Sequence, residues 1–281
     1  MPDVPVVMLN NGRTIPQFGF GVFQVPPPST AEAVSVALDA GYRHIDTAQM
    51  YQNEKEVGEA VAKSGLPRGE IFLTTKLGNG NHRPDDARRS FDASLDALGT
   101  DYVDLFLIHW PLPTRYDGDF VSTWRTLEEF YRDGRARSIG VSNFQPNHIR
   151  RLYQECEIPP AVNQIEVHPY LTQNTVREFC AQHQIAVEAW SPLARGGDLL
   201  RDPAIVPIAE RAGKTPAQVV LRWHIERGDI VFPKSVTPDR VRENIAIFDF
   251  GLSSADHEVI SSLDRGMRTG PDPDTFDFVP G

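Results

Sequence analysis

The segment RHIDTAQMY, residues 43–51, contains the pattern from which the fold can be worked out. Ile45 lies in a short apolar run that follows a helical segment and Gly41, as is typical of a β-strand. Asp46 comes where that strand should end, and Tyr51 follows a few residues later in a loop. An acid at a strand end with a phenol just beyond it can begin a proton-transfer site, although an Asp after a strand is more often a turn former or a helix cap. The residues at the ends of the other predicted strands are needed to distinguish these interpretations.

Strand-like and amphipathic helical runs alternate along the rest of the chain. Residues 102–109 are almost continuously apolar, as expected of a parallel strand buried on both faces. Ser29, Asn53 and Asn174 are predicted to cap the helices that follow them. Roughly eight strand–helix units occur without a long linker, which favours a closed barrel. We therefore predict an α/β protein that forms a single (β/α)8 TIM barrel domain over residues 1–281, with a doubly wound open sheet as the alternative.

The two ends of the chain add short elements to this barrel. Residues 6–15 indicate a β-hairpin that turns at Asn11-Gly12 and could close one end of a larger fold. The predicted first strand, residues 17–23, contains two glycines but lacks the third glycine of a dinucleotide-binding loop, so we reject that motif. The tail, residues 264–281, is rich in Pro, Gly and Asp. It is either disordered or folded over the barrel mouth, and we predict the second arrangement.

The composition restricts the class of partner. The chain has 281 residues, of which 40% are hydrophobic and 23% charged, as in soluble globular proteins. Its net charge of −10 disfavours nucleic acid and anionic membranes as partners. Cys156 and Cys180 form no CxxC motif and are expected to be reduced thiols. With no apolar leader and no long apolar run, we predict a cytoplasmic protein. We also predict that it is a monomer.

Polar side chains occur where the predicted strands end, and active sites of such barrels form at that rim. His109 among them is more often a hydrogen-bonded core residue, but at the rim it could orient a substrate oxygen. The strand-end residues are, in order, Phe23, Asp46, Lys76, His109, Ser142-Asn143, Gln164, Trp190 and Lys234-Ser235.

Lys76 is the most informative of these residues, because a lysine is rarely buried unless it is paired. Asp46 is its candidate partner, and a purely structural ion pair is the simpler interpretation. The functional interpretation adds Tyr51, since a nearby cation stabilises a phenolate and lowers the phenol pKa below its usual value of about 10. Tyr51 would then exchange a proton near neutral pH.

The segment FPKSVTPDR, residues 232–240, suggests an anion site. It places Lys234 and Arg240 around the start of a helix, where backbone N–H groups and the helix dipole favour phosphate. Barrels commonly bind phosphate after their last two strands. A solvated basic face near Glu243 is the alternative.

Six segments in this order resemble the aldo-keto reductase family, and the short loop after Trp110 resembles its bacterial 2,5-diketo-D-gluconic acid reductase branch. The likeness runs from the hairpin to about residue 263. The segments are GYRHIDTA (41–48), TTKL (74–77), LIHWP (107–111), IGVSNF (139–144), VNQIEVHP (162–169) and PKSV (233–236).

The resemblance implies an NADPH-dependent enzyme that reduces small carbonyls, α-dicarbonyls or keto-sugars, with Tyr51 as the proton donor. Gly78 departs from the branch, which often has an aromatic residue there, and is expected to widen the substrate pocket. The implied catalytic residues are Asp46, Tyr51, Lys76 and His109. The implied NADP(H) contacts are Ser142, Asn143, Gln164, Trp190, Ser191, Leu193, Lys234, Ser235, Val236, Arg240, Glu243 and Asn244. The implied substrate contacts are Phe23, Met50, Gly78, His109 and Trp110.

Two other classes of protein remain open from the sequence. Some members of the family are non-catalytic subunits that bind the nucleotide and a partner protein, and measurable turnover would exclude that role. A metal-dependent barrel hydrolase is the other, but the predicted strand ends contain no HxH motif, so we expect no metal.

Overall fold

An antiparallel hairpin closes one end of the barrel in the computed structural model, which describes residues 3–280. Its strands are β1 (Val6–Met8) and β2 (Thr14–Pro16), and Gly12 in the turn has a φ of +80°. Such a positive φ is strained for residues with a Cβ atom, so Gly is favoured there. Ile15 is fully buried against residues that begin several barrel strands. The predicted hairpin is confirmed, and it covers the end of the barrel where the strands begin.

Eight parallel strands form the barrel, and each is paired with the next along the chain. The ring is closed by a parallel bridge between Phe18 and Val231, and the Val231 N–H donates to the Gln17 carbonyl at 3.0 Å. The (β/α)8 barrel is therefore confirmed and the open sheet is excluded. The strands are β3 (Phe20–Gly21), β4 (His44–Asp46), β5 (Phe72–Leu77), β6 (Leu105–Ile108), β7 (Ile139–Ser142), β8 (Val162–Glu166), β9 (Ala186–Trp190) and β10 (Ile230–Val231).

Helices surround the barrel and bury their apolar faces against the strands. In the third helix, Phe91, Leu95 and Leu98 are all buried, because their spacing places them on one face. No helix in the described part of the chain has the length and hydropathy of a membrane span. The helices are α1 (Pro27–Asp39), α2 (Glu54–Lys63), α3 (Pro84–Leu98), α4 (Phe120–Arg132), α5 (Pro146–Glu155), α6 (Asn174–Gln182), α7 (Val206–Ala212), α8 (Pro216–Glu226), α9 (Pro238–Ile245) and α10 (Ser254–Ser261).

Two of the predicted helix caps are wrong. Helix α1 begins at Pro27, so Ser29 lies inside its first turn. Proline is pre-organised for the first helical position, and here it sets the start instead of the serine. Asn174 is the first residue of α6, and Gln173 precedes it with a φ of 53°. Asn53 does precede α2 as predicted, but its side chain makes no capping hydrogen bond.

Several strands are shorter than their apolar runs. The runs at 17–23, 102–109 and 230–234 contain only two, four and two residues in the ladder, respectively. Barrel strands tilt against the axis, so the ends of a run pass beyond the hydrogen-bonded band. The residues after each ladder then project at the rim, where the site forms.

The tail after α10 crosses the end of the barrel where the strands finish. The backbone N–H of Thr269 donates to Glu166 at the end of β8, at 2.6 Å. Further on, the ring of Phe276 lies 4.3 Å from that of Trp110, between ring centroids. The tail therefore folds over the barrel mouth, as predicted.

Candidate active site

A cavity of about 950 Å³ opens at this end of the barrel, between the strand ends and the tail. Most of the site residues predicted from the sequence line it. Those residues are Phe23, Asp46, Met50, Tyr51, His109, Trp110, Ser142, Asn143, Gln164, Trp190, Ser191, Leu193, Lys234, Ser235, Arg240, Glu243 and Asn244.

Lys76 lies beneath the cavity floor with no exposed surface. Its ammonium group is 2.6 Å from Asp46 Oδ1, 2.9 Å from the carbonyl oxygen of Thr47 and 3.3 Å from Tyr51 Oη. Adjacent parallel strands bring the groups together, because Lys76 is on β5 and Asp46 ends β4. All three ammonium hydrogens thus have acceptors, which is the condition under which a lysine can be buried.

The buried charges act on one another's pKa values. Burial lowers the pKa of Lys76, but the nearby charge of Asp46 and the Tyr51 oxygen raise it more, so the ammonium group stays charged at neutral pH. Burial raises the pKa of Tyr51, and the positive charge of Lys76 opposes this only in part. The predicted lowering of the Tyr51 pKa is therefore wrong, because desolvation of the phenolate outweighs the attraction of the cation.

His109 is buried beside Tyr51, with their ring centroids 5.7 Å apart and the rings edge to face. Burial lowers the pKa of His109 well below its ordinary value, and the charge of Lys76 lowers it further. The imidazole is therefore neutral at physiological pH. A neutral imidazole carries one N–H group, which can donate to an oxygen atom in the cavity.

Two amide side chains and the flat indole ring of Trp190 form the next part of the cavity wall. Asn143 Nδ2 donates to the His109 carbonyl oxygen at 3.0 Å, while Asn143 Oδ1 accepts from Trp190 Nε1 at 2.8 Å. The Ser142 hydroxyl donates to the backbone carbonyl of Gln164 at 2.9 Å. These bonds hold Trp190 and the polar groups of β7 and β8 in one arrangement.

The far end of the cavity carries two cations at the start of α9. Lys234 and Arg240 form no ion pair and no side-chain hydrogen bond with any of residues 3–280, so both can meet an anion. Glu243 lines the same end but forms no ion pair with either cation among residues 3–280, and its Oε1 accepts from Thr215 Oγ1 at 2.8 Å. Both cations line the cavity, and an anion site at this end stays a prediction.

Two predicted contacts lie outside the cavity. Val236 is 52% exposed and does not line it. Gly78 does not line it either, and a Cβ atom built there would lie 3.2 Å from Gln49 Oε1, which accepts from the Gly78 N–H. The Cβ position at Gly78 faces Gln49, and the widening of the pocket by Gly78 stays a prediction. Its φ is −65°, so no positive φ requires a glycine.

The sequence did not point to several residues that the fold brings to the site. Gln24 and Arg195 line the cavity with positive φ values, and the tail contributes Gly270 and Phe276. The tail has no periodic pattern, so only its packing on the barrel shows where it lies. Within the described range, 3–280, no three His, Cys, Asp or Glu side chains are grouped to hold a metal ion.

Comparisons with known proteins agree with this geometry. The model of the Aldo/keto reductase family matches residues 17–265. An aldo-keto reductase of Mycolicibacterium smegmatis is 54% identical over 98% of this chain and 99% of its own length. The methylglyoxal reductase DkgA of Escherichia coli is 44% identical over 98% of this chain and 99% of its own length. The crystal structure of a Bombyx mori aldo-keto reductase in complex with NADP is 37% identical, has a TM-score of 0.90 and covers 98% of both chains.

Proposed function

Because the chain belongs to the aldo/keto reductase family and is an NADP-dependent oxidoreductase, we propose that this cavity reduces aldehydes and ketones with Tyr51 as the proton donor. The bound nicotinamide would supply the hydride for the carbonyl carbon. The observation that carries the proposal is the fully buried Lys76, which contacts both Asp46 and the Tyr51 hydroxyl at the cavity floor.

The residues of the cavity fit NADP(H). The unpaired Lys234 and Arg240 suit the phosphate at the adenosine end, while Ser142, Asn143 and Gln164 offer hydroxyl and amide groups to a carboxamide. Trp190 offers a flat face for stacking. We assign Ser235, Glu243 and Asn244 to the adenosine end, with Ser191 and Leu193 along the path between the two ends.

Tyr51 suits proton donation because burial keeps its phenol protonated at neutral pH. As negative charge develops on the carbonyl oxygen, the proton moves from Tyr51 Oη to that oxygen. The Lys76 ammonium group, 3.3 Å away, stabilises the phenolate that remains, and Asp46 fixes the position of Lys76. Pre-organised charges in a site shielded from water can stabilise such a transition state strongly.

The substrate would enter beside His109, whose neutral ring can donate to the carbonyl oxygen. Phe23, Met50, Trp110 and Phe276 line the walls and provide mostly apolar contacts. We propose small carbonyls as substrates, and the likeness to a methylglyoxal reductase supports α-dicarbonyls among them. A screen of NADPH oxidation over simple aldehydes, α-dicarbonyls and keto-sugars tests this, and the absence of turnover with every carbonyl would reject carbonyl reduction.

Arg240→Ala is expected to weaken NADPH binding by roughly 10–100-fold, because Arg holds a phosphate by charge-assisted hydrogen bonds worth about 1.5–3 kcal/mol. NADH lacks the 2′-phosphate, so its affinity should change little. Quenching of tryptophan fluorescence gives Kd for both cofactors, and high salt should reduce the difference because this rim is exposed.

Arg242→Ala is the matched control, since Arg242 is exposed on the same helix and pairs with Asp239 rather than lining the cavity. It should leave both affinities unchanged. If Arg240→Ala weakens NADH as much as NADPH, then Arg240 supports the adenine or the fold and does not select the phosphate.

A further inference from the structure

Glu188 is a buried carboxyl group that the proposed mechanism does not use. It lies on β9 directly opposite Gln164 of β8 and has no exposed surface. Its Oε2 accepts a hydrogen bond from Gln164 Nε2 at 2.8 Å. The same nitrogen donates to Asp46 Oδ2 at 2.9 Å. Both hydrogens of the Gln164 amide are therefore held by carboxyl oxygens.

This arrangement fixes the orientation of the Gln164 amide. Rotating the amide by half a turn would place its carbonyl oxygen against the Asp46 carboxylate, which repels it, and would leave Glu188 Oε2 without the hydrogen bond it now accepts. The Nε2 end must therefore stay buried against Asp46 and Glu188. Gln164 also lines the cavity, so Oε1 is the end of the amide that a ligand there can use. An amide oxygen only accepts hydrogen bonds, and the carboxamide of nicotinamide has an NH₂ group to donate.

We propose that Glu188 is a positioning residue for the cofactor: with Asp46 it orients Gln164 so that Gln164 Oε1 accepts from the nicotinamide carboxamide. The inference rests on the cofactor placement proposed above. Glu188 acts only through Gln164 and contacts neither the cofactor nor the substrate. Its substitution is therefore expected to change which cofactor analogues bind well, and not only how well the protein folds.

The charged and titratable groups around Glu188 come from β4 and β5, two strands that pair with each other but not with β9. Asp46 and His44 lie on β4, Lys76 lies on β5, and His44 Nε2 is 3.7 Å from Glu188 Oε1. Burial lowers the pKa of His44 to about 3, so this ring is neutral. Glu188 Oε1 has no hydrogen-bond partner among residues 3–280, and a buried carboxylate oxygen without a partner is unfavourable.

Protonation of Glu188 lowers this cost, because a neutral carboxyl group is less unfavourable to bury than a carboxylate. Burial, and then the charge of Asp46, raise its pKa from 4.5 to about 8. At neutral pH it is then a neutral acid that still accepts from Gln164 through Oε2. Lys76 therefore faces one carboxylate, Asp46, rather than two.

Glu188→Gln is expected to change how stability depends on pH. Between pH 4.5 and about 8 the folded protein keeps a proton on Glu188 that the unfolded chain has lost, so stability falls as pH rises through this window. The unfolding constant of the wild type should rise about tenfold per pH unit relative to that of the variant. Urea unfolding at several pH values measures this, and parallel curves would mean that folded Glu188 is ionised.

The positioning role is tested with NADP and its 3-acetylpyridine analogue, in which a methyl ketone replaces the carboxamide and no NH₂ group is left to donate. The wild type should bind the analogue about fivefold more weakly, which corresponds to one hydrogen bond. Glu188→Met keeps the length of the side chain but removes one of the two acceptors that hold Gln164 Nε2, leaving only Asp46. The Gln164 amide then turns more readily, so the ratio of the two Kd values should fall toward one. Glu188→Gln keeps an acceptor and should keep the wild-type ratio.

Glu188→Ala is the second variant if Glu188→Met does not fold, as judged by circular dichroism. If folded Glu188→Met or Glu188→Ala keeps the wild-type ratio of Kd for the analogue to Kd for NADP, the role of Glu188 is overturned. A ratio close to one in Glu188→Gln would overturn it as well. If the wild type itself binds both cofactors equally, the proposed contact between Gln164 and the carboxamide is wrong, and the inference fails with it. The ratio of the two Kd values in the wild type therefore distinguishes a failure of the Gln164–carboxamide contact from a failure of the Glu188 role.

Discussion

Tyr51→Phe is expected to lower kcat by about 10²–10⁴-fold, the usual contribution of a general acid. The variant lacks only the hydroxyl oxygen that lies 3.3 Å from Lys76 Nζ, so the proton has no donor at the cavity floor. NADPH affinity should barely change, because the aromatic ring at position 51 remains in place against Phe23, which lies at a centroid distance of 5.1 Å from the Tyr51 ring. Steady-state kinetics with NADPH and methylglyoxal, together with Kd by fluorescence quenching, measure both quantities.

Tyr153→Phe is a matched control, since Tyr153 is 40% exposed and lies outside the cavity. Its kcat should equal that of the wild type. Turnover by Tyr51→Phe close to that of the wild type would remove Tyr51 from the mechanism and leave His109 as the donor to consider.

Lys76→Met is expected to destabilise the protein by about 3–5 kcal/mol, because it leaves the buried carboxylate of Asp46 without its cation. It should also abolish most turnover, since the phenolate of Tyr51 loses its stabilising charge. Without Lys76, the pKa of Asp46 rises further above its ordinary value than burial already raises it. A group whose folded pKa is raised loses its stabilising contribution as pH rises, so the variant should be least impaired at acid pH.

Urea unfolding from acid to neutral pH measures this effect, with Lys63→Met as the control. The Lys63–Glu59 pair is largely exposed, and such pairs contribute about 0–1 kcal/mol. Equal losses of stability in the two variants would mean that Lys76 makes no special contribution. Adding Asp46→Asn to Lys76→Met should recover part of the loss, because no buried charge is then left unpaired.

The barrel and the pairing of Lys76 with Asp46 could be predicted because each depends on a local pattern. Alternating apolar runs specify the strands and helices, and a charge at the end of a buried strand needs a partner from a neighbouring strand. The shortened ladders and the wrong cap at Ser29 arise where strand tilt and proline, respectively, override such patterns. Monomeric state and cytoplasmic location stay predictions.

Other features depend on contacts between residues far apart in the chain. The raised pKa of Tyr51 follows from burial among groups far apart in the chain, such as Phe23 and His109, which no local spacing reveals. The contact of Gly78 with Gln49 could not be predicted, because Gln49 lies 29 positions away in the chain. Glu188 did leave a signal, since a carboxyl group inside the apolar run AVEAW, residues 186–190, requires a buried partner. Only the paired strands identify that partner as Gln164.

The transfer of deuterium from labelled NADPH to product tests carbonyl reduction most directly. The cofactor would carry deuterium at both positions of the nicotinamide C4, and the substrate would be benzaldehyde, which cannot enolise. We predict one deuterium on the carbinol carbon of the alcohol, detected by mass spectrometry, and none on that carbon when unlabelled NADPH is used in heavy water. A carbinol hydrogen that comes from the solvent, or an alcohol that forms without NADPH oxidation, would contradict direct hydride transfer in this cavity.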